Sequence, residues 1–154
     1  MLKTIKMKTN IIASTTTKIN TYPLKVWEAL TTPSIIKQYF FGTDVTSEWK
    51  VGSPIYFRGE WQGKKYEDKG TILSVVPSKL FKYNYWSSMS GIEDKPESYL
   101  VITYELRATE EGTTLTITQE NVPDEKTKVH SEQNWSKVLA DLKTLLEKQP
   151  VGSL

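Results

Sequence analysis

Asn134–Lys148 reads NWSKVLADLKTLLEK, and the spacing within it decides the fold. Trp135, Val138, Leu139, Leu142, Leu145 and Leu146 fall on one side of a helical period. Lys137 with Asp141, and Lys143 with Glu147, stand four residues apart on the other side, the arrangement of ion pairs on a wet helix face. Upstream, Pro123, Asp124 and Glu125 suit a helix N-terminus; downstream, Pro150 and Gly152 stop the helix after about Lys148. A helix of about 22 residues spans roughly 33 Å at ~1.5 Å per residue. That exceeds what a bundle contact in a 154-residue chain requires. It fits a helix laid across the whole concave face of a curved sheet.

The rest of the chain supplies such a sheet. Ile11–Asn20 is β-branched and Thr-rich, which predicts a strand. The grammar then turns helical twice. PLKVWEAL places Leu24, Trp27, Ala29 and Leu30 near helical spacing behind Pro23, and TPSIIKQYF offers Thr32 as cap, Pro33 as first residue and Ile35, Ile36, Tyr39 and Phe40 as one face. From about residue 44 to 121 the chain alternates apolar and polar positions between short turns. Ile55, Phe57, Gly59 and Trp61 share one face, as do Phe81, Tyr83 and Tyr85, then Ile102, Tyr104 and Leu106, then Leu115 and Ile117. QGKK and TEEGTT are turns, and SSMSGIEDKPES is a polar loop. Gly59 and Gly70 inside strand patterns predict bulges or sharp bends. The expected architecture is α+β: a curved antiparallel meander of six to seven strands around the C-terminal helix, with two short helices after the first strand. Residues 1–10 read as a flexible leader and 11–148 as a single domain, with no repeat or linker to divide it.

Composition bounds the function. Apolar residues make up 38% and charged residues 25%, an ordinary globular balance. The 20 basic and 18 acidic residues alternate, so no block marks a nucleic-acid footprint. Arg58 and Arg107 are the sole arginines, few for a site that grips phosphate or carboxylate through a fork. There is no Cys, which removes disulfides, thiolate metal sites and thiol nucleophiles. No apolar run approaches the ~18 residues of a membrane span, and the N-terminal residues carry no apolar core of a secretion signal. A cytoplasmic protein is expected.

The order of elements, with its wording, resembles the helix-grip fold of the START-like (SRPBCC) superfamily. More narrowly, it is similar to the family of homologues of the activator of the ninety-kilodalton heat-shock-protein ATPase. Four phrases carry the resemblance: PLKVWEALTTP (Pro23–Pro33), GTILSVVPSKLFKYNYW, ITYELRATEEGTTLTITQEN and NWSKVLADLKTLLE. Together they cover roughly residues 11 to 148. The chain departs where Gly52 is followed by Ser53 and Pro54 instead of a second Gly, and where Tyr39 and Phe40 replace a Trp at the end of the second helix. The resemblance implies a hydrophobic small molecule held between sheet and long helix. Within the superfamily some members bind lipids, sterols or hormones, some close polyketide rings and a few are co-chaperones; fold does not choose among these.

Catalytic constellations are not legible. His130 is the single histidine, has no partner at metal-ligand spacing, and reads as a solvent-facing residue of the last helix, with a place at a pocket mouth as the sharper alternative. The acid pairs Glu67/Asp68, Glu93/Asp94, Glu110/Glu111 and Asp124/Glu125 fall in or beside turns or a helix start, where solvated acids belong. The five Trp and eight Tyr are the better lead. Phe57, Trp61, Phe81, Tyr83, Tyr85 and Tyr104 should face the long helix and meet Trp135, Leu139 and Leu142. Those nine are the candidate ligand-binding residues, although the same set would equally make a filled core. Trp49 and Trp86, in or near loops, border an opening or are edge residues. The expected function is non-catalytic binding of a lipid-like or polyketide-like molecule, without cofactor or metal, by a monomer or weak homodimer. An aromatase/cyclase-like enzyme and a co-chaperone with a chaperone partner are the alternatives.

Overall fold

The computed structural model describes residues 9–148. The expected leader falls largely outside that range; Thr9 is held at the far end of the sheet, its N–H donating to Asn121 Oδ1 at 2.9 Å and its hydroxyl to the Val122 carbonyl at 2.5 Å. The elements run β1 (Ala13–Ile19), α1 (Pro23–Thr31), α2 (Pro33–Tyr39), β2 (Asp44–Ser47), β3 (Pro54–Trp61), β4 (Lys64–Val76), β5 (Leu80–Tyr85), a 3-10 turn (Pro96–Ser98), β6 (Leu100–Thr109), β7 (Gly112–Glu120) and α3 (Glu125–Glu147). All neighbouring strands are antiparallel, in the order β1-β7-β6-β5-β4-β3-β2. This seven-stranded curved sheet, gripping one long helix, is the α+β helix-grip architecture expected.

Local chemistry explains the elements. Pro23 and Pro33 each occupy a first helical turn, where a missing N–H does no harm. Thr32 stands at the N-cap of α2 without a side-chain capping bond. Asp124 does cap α3: its carboxylate accepts from Thr127 N–H at 2.7 Å. Trp61 pairs with Lys64 across the two-residue turn Gln62–Gly63, both at positive φ (51° and 82°), the backbone twist that closes a tight hairpin.

The two strand glycines act differently from expectation. Neither is bulged in the β3–β4 ladder, where Gly59 pairs Tyr66 and Gly70 pairs Ile55 in unbroken register. The shift lies instead between Ile72 and Ser74, against β5. Gly59 leaves room for the Tyr66 ring, whose hydroxyl would lie 2.5 Å from an added Cβ. Gly70 leaves room for the Asn84 backbone carbonyl, which a Cβ would strike.

The core is the inner face of the sheet covered by three helices. Ile55, Ile72, Phe81, Leu115 and Ile117 meet Leu139, Leu142 and Leu146 of α3 and Val26, Ala29 and Leu30 of α1. The buried side of α1 is therefore Val26–Ala29–Leu30, and Leu24 is exposed instead. Edge strand β1 is covered by α3 side chains. Glu132 accepts from Ser14 N–H at 3.0 Å, Glu147 from Asn20 N–H at 2.8 Å, and Lys143 donates to the Lys18 carbonyl at 2.7 Å. Backbone groups that would template a further strand are thereby occupied.

Candidate functional site: an apolar cavity under the first half of α3

Each inner strand face changes character along its length. On β5 it runs from Phe81 to Tyr83 and Tyr85; on β4 from Ile72 past Gly70 to Asp68 and Tyr66; on β7 from Leu115 and Ile117 to Gln119. At the Phe81 end the space is filled: Trp27 of α1 packs edge-on against Phe81 at 6.2 Å and Trp49 lies 5.7 Å from it. At the other end neither α1 nor Trp49 lines the space, and α3 is the cover. What remains is a cavity of about 560 Å3, opening to solvent, between β3–β7 and the residues of α3 from Thr127 to Val138. Its size falls within the ~300–1,000 Å3 of ordinary ligand pockets.

The walls are mostly aromatic. Phe57 lies 5.6 Å from Tyr83 and 5.5 Å from Tyr85, ring centre to ring centre. Phe40, just past α2, bridges the two sides, 6.2 Å from Phe57 and 5.7 Å from Trp135. Leu100 and Ile102 of β6 and Val138 of α3 add aliphatic surface. Phe41, Trp61 and Met89 line the mouth while exposing 46%, 53% and 44% of their surface, and Phe41 and Trp61 touch edge to face at 6.2 Å. Apolar groups thus line both the interior and its rim.

The polar groups on the sheet side are hydrogen-bonded, and Thr127, His130 and Asn134 of α3 also line the cavity. Gln119 is 6% exposed; its carbonyl accepts from Trp135 Nε1 at 2.9 Å and its amide donates to Ser131 Oγ at 3.1 Å. Tyr66 and Thr43 share a hydroxyl–hydroxyl bond of 2.6 Å. Asp68 is 7% exposed; its carboxylate accepts from the Tyr85 hydroxyl, from Ser88 N–H at 3.0 Å and from Ser88 Oγ at 3.4 Å. Burial, then the Asp68 charge, push the Tyr85 hydroxyl well above its ordinary value, so it stays a donor. Tyr83 and Tyr104 bond to one another at 2.6 Å, and burial likewise raises both. Among the described residues no cluster of His, Asp and Glu has the geometry to hold a metal ion.

Of the nine candidates, Phe57, Trp61, Tyr83, Tyr85 and Trp135 line this cavity, Trp61 from the rim. Phe81, Tyr104, Leu139 and Leu142 do not. They are 1%, 6%, 1% and 0% exposed and belong to the packed core: Trp27 of α1 and Trp49 cover Phe81, and Tyr104 packs between Phe81, Tyr83 and Trp135. Trp49 thus belongs to the packed side too, and Trp86 lies off the cavity, its Nε1 donating to the Ile92 carbonyl at 2.9 Å and its ring 5.7 Å from Lys69 Nζ. His130 is exposed and also borders the mouth. Asp68 is the main residue that sequence reading misplaced. Its place beside the QGKK turn suggests a solvated acid, yet strand β4 begins at Lys64, and Asp68 shares the inward parity of Ile72. Gln119, a polar residue two positions beyond Ile117, likewise lies on the inner face of β7, a place its strand parity signals.

A model of the family described as "Activator of Hsp90 ATPase homolog 1-like protein" matches residues 20–147. Among solved structures, protein ChR145 from Cytophaga hutchinsonii is 47% identical, with a TM-score of 0.80 over 92% of this chain and 97% of that one. The Aha1 dimer from Colwellia psychrerythraea is 21% identical, with a TM-score of 0.71 over 89% and 96%. DynU16, from the dynemicin biosynthetic locus, is 17% identical, with a TM-score of 0.74 over 88% of this chain but 47% of that one. The last two likenesses concern the fold alone. No curated protein sequence matches the chain.

Proposed function

This chain belongs to the family of Activator of Hsp90 ATPase homolog 1-like proteins, and on that footing we propose that it binds a hydrophobic or aromatic small molecule without transforming it. The observation that carries the proposal is the cavity of about 560 Å3, aromatic inside and apolar at its rim, on a fold whose other half leaves a void of only about 10 Å3. Had the chain needed only a stable core, the Trp135 end would be expected to close as the Phe81 end does, since unfilled apolar space forfeits packing energy. The guest is lipid-like or polyketide-like in its apolar body, and the paired hydroxyls and amide orient its polar end.

Native mass spectrometry of the purified protein against lipid and aromatic-metabolite libraries tests this, with Trp fluorescence as the second readout. An apolar compound retained at one-to-one stoichiometry and recovered at unchanged mass is the expected result. Retention of none would overturn it. Recovery at a changed mass would favour the enzymatic alternative, for which the Asp68–Tyr85 hydrogen bond inside the cavity is the supporting observation. The co-chaperone alternative rests on the exposed apolar side chains Phe41, Trp61 and Met89. It predicts that the ninety-kilodalton chaperone competes with the small molecule for that rim.

A further inference from the structure

We propose that the polar end of the guest is a cation, and that this protein selects hydrophobic amines over alcohols and acids of the same length. The inference rests on the binding proposal above and assigns its recognition group. Asp68 stands directly opposite Phe57 in the β3–β4 register, on the cavity side of the sheet. Its three donors, one from Tyr85 and two from Ser88, are all neutral. A carboxylate offers about four acceptor positions, so one is left for a group inside the cavity.

Neighbouring cations are committed elsewhere: Lys69 to Asp94 at 2.7 Å and Arg58 to Glu67 at 2.6 Å. Among the described residues none forms an ion pair with Asp68. No lysine or arginine lines the cavity, and its one histidine, His130, is at the mouth on α3. A carboxylate largely withdrawn from water and lacking a counter-charge is costly, and a bound ammonium relieves that cost as a neutral hydroxyl cannot. The rings around it act in the same direction. Phe57, Tyr83 and Tyr85 on the sheet, with Phe40 and Trp135 across from them, line the same cavity, and aromatic rings that offer a face to a bound cation attract it. A fatty-acid carboxylate would meet Asp68 with like charge and find no lysine or arginine among the lining residues to receive it.

Decylamine, decanol and decanoate, titrated below their micellar concentrations at pH 7 by calorimetry, separate the alternatives. The wild-type protein is expected to bind decylamine about ten-fold or more tighter than decanol, as a charge-assisted bond to a carboxylate largely withdrawn from water implies, and decanoate weakest. Asp68→Asn should bring amine and alcohol within about two-fold of one another. Ser88→Ala, at a residue outside the cavity lining, keeps the carboxylate and removes one donor to it, so the amine preference should persist; the wild-type comparison of amine with alcohol stands by itself if the Asn variant fails to fold. Equal binding of amine and alcohol by the wild type, or an amine preference that survives Asp68→Asn, would overturn the assignment while leaving the cavity proposal standing. Binding of none of the three would overturn both.

Discussion

At the scale of single residues, a side chain's place along its strand decides whether it is core or wall. Leu142 is fully buried against the packed half. Leu142→Ala should destabilise the fold by about 2–5 kcal/mol, read by urea denaturation, because the hole it leaves cannot collapse; guest affinity in the folded fraction should be unchanged. Met89→Ala is the mirror case. Its side chain is 44% exposed at the cavity mouth, so stability should stay within about 0.5 kcal/mol while affinity for an apolar guest falls. The buried tyrosines give a pH signature. Tyr39, Tyr83, Tyr85 and Tyr104 all have hydroxyls raised above their ordinary value, mainly by burial. The unfolded chain therefore releases protons near pH ~10 that the folded chain retains, and stability, fully present below pH ~10, is lost as pH rises above it. Absorbance at alkaline pH should show these four ionising only together with unfolding. Tyr83→Phe should reduce that slope and destabilise by about 1 kcal/mol at pH 7, since it strands the Tyr104 hydroxyl.

At the scale of elements, most of the architecture is legible because the elements carry strong periods. The stripe from Trp135 to Leu146 and the prolines at 23 and 33 mark all three α-helices. Alternation marks the strands. What periodicity cannot show is which helix covers which stretch of an alternating face. Phe81 and Tyr85 read alike in LFKYNY, yet α1 and Trp49 close over the first and leave the second open. The inward acid was readable in principle, since Asp68 keeps step with Ile72, but its proximity to the QGKK turn argued for solvent. Gly70 shows a related limit: a strand glycine signals crowding as readily as bending. Gly70→Ala drives a methyl into the Asn84 carbonyl and should destabilise the sheet by about 1–3 kcal/mol or more in thermal melts. Gly63→Ala meets open space and faces only its positive φ, so its effect should be smaller, roughly 1 kcal/mol. The α3 clasp on β1 has its own readout. Glu132→Ala with Glu147→Ala should speed hydrogen exchange at Ser14 and Asn20, the two amides that lose acceptors, before any global unfolding is seen.

At the scale of the whole molecule, the protein is a helix grip with two unlike ends, one closed over buried side chains and one left open beneath the first half of α3. The asymmetry predicts how a guest acts. It stabilises by mass action, about 2.7 kcal/mol at a hundred-fold excess over Kd, and it should do so from one end only. Trp135 reports the open end through its indole N–H on Gln119, Trp49 reports the packed end, and Trp86 reports the outer surface. The most direct test is therefore a nitrogen–proton correlation spectrum recorded while an apolar guest is titrated in. The indole resonance of Trp135 and the side-chain amide of Gln119 should shift with saturation, while the indoles of Trp49 and Trp86 hold still. Shifts confined to Trp49 or Trp86, or no saturable shift at Trp135 with any apolar guest, would contradict binding at the open end.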